Sequence, residues 1–104
     1  MTAEKEEITE QMIQEKGLEA PRLNPMMIDN TIVDEVYYIF PNTTTTVCRL
    51  ELKNGFSVIG ESAAVSIENF DEEIGKEIAR ENARNKIWVL EGYLLKDKLH
   101  HISR

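Results

Sequence analysis

One cysteine, one tryptophan, three prolines and twelve basic residues stand in a chain of 104. Each scarcity closes off a class of function. Cys48 has no second cysteine to form an internal disulfide and cannot be part of a Cys-clustered zinc site, which fits a reducing compartment. No apolar run approaches the roughly 18–20 residues that cross a bilayer, so no membrane partner is expected. The N-terminus MTAEKEEITEQMIQEK lacks the basic start, apolar middle and small-residue cleavage site of a secretory signal, and the expected place is the cytoplasm. Basic residues are outnumbered by nineteen acids, for a net charge of -7. Such a surface repels phosphate backbones, so nucleic acid is not an expected partner, whereas a basic protein is.

The acidity is unevenly spread. Residues 1–19 carry six acids and two bases, residues 20–68 six and three, and residues 69–104 seven and seven. Residues 1–20 read as an acidic N-terminal arm, either a docked helix or a segment helical only when bound. Thr2 is its candidate N-cap and Gly17 its stop. Residues 21–104 read as a single domain, since a chain of this size supports one modest core.

Asn24-Pro25 is a second helix start, Asn as cap and Pro in the first turn. The periodicity of Met26, Met27, Ile28, Ile32 and Val33 predicts a helix from about Pro25 to Glu35. Val36-Tyr37-Tyr38-Ile39-Phe40 follows as a strand. Thr43 to Thr46 read as a polar loop or the start of the next strand. The clearest β signal runs from Val47 to Glu61 around Asn54-Gly55, which suits a two-residue hairpin turn. With that turn, Cys48, Leu50, Leu52 and Ile59 share the core face, while Phe56 and Val58 lie on the other. A longer loop would change these pairings. The uncovered Phe56 and Val58 are candidates for contact with the arm or with a partner.

Asn69 to Leu99 is the longest segment with one period. Phe70, Ile74, Ile78, Ala79, Ala83, Ile87, Leu90 and Leu94 mark an apolar stripe, with Asn69 or Asp71 as the cap. A straight helix over this span would be about 46 Å long, against a diameter near 33 Å (about) for a compact domain of this size. Either it breaks near Gly92 or its end projects and meets another subunit. Tyr93, Leu95 and Leu99 are the candidate interface there, and a homodimer through this helix is the expectation. The fold class is thus α+β: a short N-terminal helix or helices, a small antiparallel sheet around the 47–61 hairpin, and a long C-terminal helix packed on it.

No residue set reads as catalytic, and neither cofactor nor metal is expected. His100-His101 are adjacent at a chain end with no spaced partner and read as solvated. Cys48 reads as a small core residue. Glu72, Glu73, Glu77 and Glu81 alternate with Lys76, Arg80 and Arg84, the pattern of a solvated helix face. Met27, Tyr37 and Trp88 read as core.

Several segments together carry a resemblance: Lys53-Asn54-Gly55-Phe56, Gly60-Glu61-Ser62, Asn69-Phe70-Asp71, and Ala79-Arg80 to Ala83 leading into Ile87-Trp88-Val89-Leu90-Glu91-Gly92-Tyr93-Leu94-Leu95. From about Pro21 to Leu99 the chain resembles a family of small, uncharacterised proteins encoded by tailed bacteriophages and prophages. The resemblance implies a phage origin and an accessory role inside a bacterial host. It implies no activity and supplies no catalytic residues. The function expected first is therefore non-enzymatic: binding a protein, with a basic host factor as the candidate partner; the alternatives are self-association as an assembly module and an enzyme whose type the residues do not reveal.

Overall fold

In the computed structural model, residues 3–18 and 20–102 are described. The order of elements is α1 (Ala3–Glu15), α2 (Pro25–Asn30), β1 (Ile32–Ile39), β2 (Thr45–Leu52), β3 (Ser57–Ala63), a 3-10 turn (Ile67–Asn69) and α3 (Glu72–Ile102). The three strands form one antiparallel sheet in the order β1-β2-β3, and α3 crosses β2 and β3 on one face. The fold is α+β, as the residue pattern predicts.

Local chemistry sets most helix ends. Thr2, the expected cap of α1, lies outside the described residues. The other end of α1 closes as a Schellman motif: Leu18 N–H donates to the Ile13 carbonyl and Gly17 N–H to that of Gln14. In α2 the Asn24 side chain accepts from Met27 N–H at 2.9 Å, with Pro25 in the first turn. Asp71 caps α3 by accepting from Ile74 N–H at 3.0 Å, and Asn69 belongs to the preceding turn.

Four expectations are corrected. First, α2 stops at Asn30, and residues 32–35 are strand rather than helix. The Thr31 hydroxyl and N–H both turn back to the Ile28 carbonyl, and β1 then pairs with β2 from Ile32 to Ile39. This pairing, interrupted by a bulge at Val33, outweighs a short helical period, and β-branched Ile32 and Val33 favour it.

Second, the hairpin register differs by one residue. Leu52 N–H donates to the Phe56 carbonyl, and Leu50 faces Val58. The loop has three residues, Lys53-Asn54-Gly55, with Gly55 at φ 88 and donating to the Leu52 carbonyl. A type I turn followed by a left-handed glycine gives this geometry. The slip exchanges the faces of β3: Val58 is buried, and Ile59 is exposed.

Third, only part of the expected α3 stripe meets the sheet: Ala79, Ala83 and Ile87 are buried as expected, and Ile74, Ile78 and Leu94 are not. The buried line of α3 is Gly75, Ala79, Ala83 and Ile87, while Ile74 and Ile78 are about half-exposed. Gly60 explains the difference. A Cβ there would collide with the Ala79 carbonyl oxygen and with Ala83 N and Cα, so the helix backbone rests directly on the strand. Only small residues permit that approach.

Fourth, Met27 is exposed, and Ile28 fills the core position of α2. The core is Ile28, Cys48, Leu50, Leu52, Val58, Ala79, Ala83 and Ile87, with Leu23, Ile32, Tyr37 and Trp88 packed around it.

Helix α3 runs unbroken through Gly92 for 31 residues. Leu23 reaches the helix beside Gly92. The projecting end gives the molecule extents of 54 × 31 × 19 Å and a radius of gyration of 16.5 Å, against about 13 Å for a compact domain of this length. The expected break at Gly92 is not there.

Candidate functional site

The densest polar chemistry lies between the N-terminal half of α3 and the α2–β1 side of the sheet. The Arg80 Nε donates to the Glu35 carboxylate at 2.6 Å, and the Arg84 Nε to that of Asp29 at 2.7 Å. Arg84 is almost wholly buried and also donates to the Pro25 carbonyl at 3.3 Å. One helix thus grips β1 and α2 through two arginines a turn apart. The solvated face read from alternating charges in α3 is in part an ion-paired one.

Tyr37 and Cys48 lie opposite one another in the β1–β2 register. Lys76 sits 5.8 Å from the Tyr37 ring centroid, a cation–π contact. Burial, with smaller contributions from Cys48 and Glu35, pushes the Tyr37 hydroxyl up to about 12. Burial also pushes the Cys48 thiol up. A raised, fully buried thiol is a poor nucleophile, so the pair acts as packing.

The tyrosine shift has a measurable consequence. Above pH 10 the unfolded chain releases the Tyr37 proton while the folded chain keeps it. Stability contributed by Tyr37 is therefore complete below pH 10 and is lost as pH rises towards about 12. An absorbance titration of the folded protein should show one tyrosine ionising only near pH 12, and Tyr37→Phe should remove that late component. A late component that survives Tyr37→Phe would refute the assignment.

The residues expected at an interface are divided by the structure. Val58 is core, 6% exposed, and no surface residue. Leu95 and Leu99 are half-buried, and Leu95 faces a groove it shares with Leu23 and Met27 of the same chain. Phe56 and Tyr93 are exposed. Phe56 borders an apolar groove with Ile59, Val89 and Leu90, so the hairpin tip lies beside the middle of α3. His100 and His101 are exposed, with His101 Nε2 3.5 Å from Asp97 one turn earlier.

Sequence reasoning missed how the edge of β3 is guarded. Asn82 donates to the Glu61 carbonyl at 2.8 Å, and Lys86 donates to the Ile59 carbonyl. Capped carbonyls cannot template another strand, which is how edge strands resist aggregation. The only signal in the sequence was a pair of long polar side chains at i and i+4 on α3.

Among the described residues no group of three or more His, Cys, Asp or Glu side chains gathers as metal ligands would. No helix among them is long and apolar enough to cross a membrane. An α+β domain with a three-stranded sheet under one overlong helix is the class this geometry defines. Residues 23–99 match the model of the phage protein (N4 Gp49/phage Sf6 gene 66) family, and the chain belongs to that family. The match leaves α1 outside and takes in everything from Leu23 to Leu99. Neither the curated proteins nor the solved structures compared with the chain produced a match.

Proposed function

We propose that this chain is a non-enzymatic accessory phage protein that works in the bacterial cytoplasm by binding a basic protein of the host. The observation that carries this reading is where the negative charge sits. All of the net charge of -7 belongs to residues 1–68, and residues 69–104 are neutral. The acids of α3 and its surroundings are partly spent on ion pairs, Glu72 with Lys76, Glu35 with Arg80 and Asp29 with Arg84.

The arm is different. Helix α1 carries the sequence AEKEEITEQMIQE and is tied to the domain by a fork of Arg22 on Glu10, with contacts of 2.7 and 2.8 Å. Arg22 holds the Glu10 carboxyl below its ordinary value, so this tie weakens as pH falls through the folded value. The acids in the sequence of this arm favour a basic partner by complementary charge and fast encounter.

Capture from host lysate tests the reading when repeated with a Glu4→Gln, Glu6→Gln, Glu7→Gln variant. A basic protein should be retained at about 50 mM salt, released by about 500 mM, and lost with the variant. Capture of no protein, or capture indifferent to salt and to the variant, would overturn it.

A further inference from the structure

One face of α3 has a symmetry that the core does not use. Ile74, Ile78, Asn82, Asn85, Val89 and Tyr93 follow one another at steps of 4, 4, 3, 4 and 4 residues, close to the helical repeat, so they lie along one side of the helix. The four apolar members are 57, 48, 73 and 73% exposed in chain order. Asn82 is exposed and Asn85 half-buried. Read from either end, the steps are the same, and so is the order: two apolar residues, two asparagines, two apolar residues.

We propose that this face is a dimer interface, on which a second copy of the chain packs antiparallel about a two-fold axis between Asn82 and Asn85. A two-fold interface is isologous: if residue i meets j, then j meets i, so the pattern must read alike in both directions. In this register Ile78 meets Val89 of the second copy, Ile74 meets Tyr93, and Asn82 meets Asn85. A different protein would place no such demand on the spacing.

Three further observations select the second copy and this register. Asp71, three residues before Ile74, and Lys96, three after Tyr93, continue the symmetry as opposite charges, and both are exposed. Each therefore meets its complement at an end of the seam. Residues 69–104 are neutral while the remainder carries -7, so α3 is where two copies approach without like-charge repulsion. Asparagines meeting at the centre favour one alignment, because a slide by one turn would set an amide against Ile78 or Val89. Asn82 donates its Nδ2 to the Glu61 carbonyl, which fixes how its side chain stands at the seam.

The mating surface is the helix and not the β3 edge, whose Ile59 and Glu61 carbonyls are already capped. The seam from Ile74 to Tyr93 is about 28 Å long, and it stands independently of the acidic arm.

Sedimentation equilibrium of the full chain over roughly 1–100 µM tests association, since dimers dissociate on dilution. The wild type should dimerise, and Ile78→Asp and Val89→Asp should each weaken association by at least about tenfold, or 1.4 kcal/mol. Both sites are exposed, so circular dichroism should show unchanged folding. The register is tested by mixing an Ile78→Cys variant with a Val89→Cys variant under mild oxidation. Cys48 is fully buried and stays out of the reaction. A disulfide-linked species should form in the mixture and with neither variant alone. A monomer at every concentration would overturn the proposal. So would a dimer indifferent to both aspartates, or cross-linking of either cysteine variant with itself.

Discussion

Gly60→Ala is expected to destabilise the fold by about 3 kcal/mol or more, a large cost for one methyl group. The new Cβ would occupy the space of the Ala79 carbonyl oxygen and the Ala83 backbone. Neither is the end of a flexible side chain, so α3 must lift from the sheet as a unit. Lifting it loosens Ala79, Ala83 and Ile87, all fully buried, and opens gaps the core cannot close. Domains of this size are stable by roughly 5–15 kcal/mol, so the variant should melt about 12 °C or more below the wild type. Gly75 is the control on the same contact line: its added Cβ would meet only side-chain atoms, the nearest 3.0 Å away at the Thr46 hydroxyl. Gly75→Ala should therefore cost much less. Chemical denaturation followed by circular dichroism measures both, and equal costs would refute the close-approach account.

Val58→Asp should unfold the protein, while Ile59→Asp should leave stability within about 1 kcal/mol of the wild type. These neighbours differ in nothing obvious on paper. The three-residue turn points Val58 into the core beside Leu50 and Ile59 out to solvent. An aspartate at 58 would bury an unpaired carboxylate, costing several kcal/mol or forcing the helix away. At 59 it would stay in water. A two-residue turn at Asn54-Gly55 requires the opposite ranking, so the pair of urea midpoints decides the register without a structure.

The parts of the fold legible in the residues were those set by short-range chemistry. Asn24-Pro25 capped α2, Asp71 capped α3, Gly17 ended α1, and the hairpin bent at Asn54-Gly55. Each depends on hydrogen bonds within a few residues, which side-chain type alone can foretell. The continuity of α3 through Gly92 was harder to read, because a glycine costs only about 1 kcal/mol in a helix and a contact with Leu23 flanks it.

The candidate surfaces were legible in part. Phe56 and Tyr93 are exposed as expected, Val58 is not, and Leu95 and Leu99 are half-covered. Ile74 and Ile78 read as core on spacing alone, because large aliphatics at helical spacing normally are. Their exposure is visible only once Gly60 has drawn the Gly75–Ala83 line against the sheet. The Arg80–Glu35 and Arg84–Asp29 pairs join residues 45 and 55 positions apart, beyond any local pattern.

By itself, the amino-acid sequence determined the order and kind of most elements, the place of the turn, and the separation of an acidic stretch, residues 1–68, from a neutral helix. Tertiary structure alone decided where α2 yields to β1, which side of β3 faces inward and which face of α3 is left to solvent. The physical reason is the same in all three. Helix and strand periods leave register and rotation nearly degenerate along one element, and only contact with another element, here a ladder, a turn closure and a bare Gly60, lifts the degeneracy.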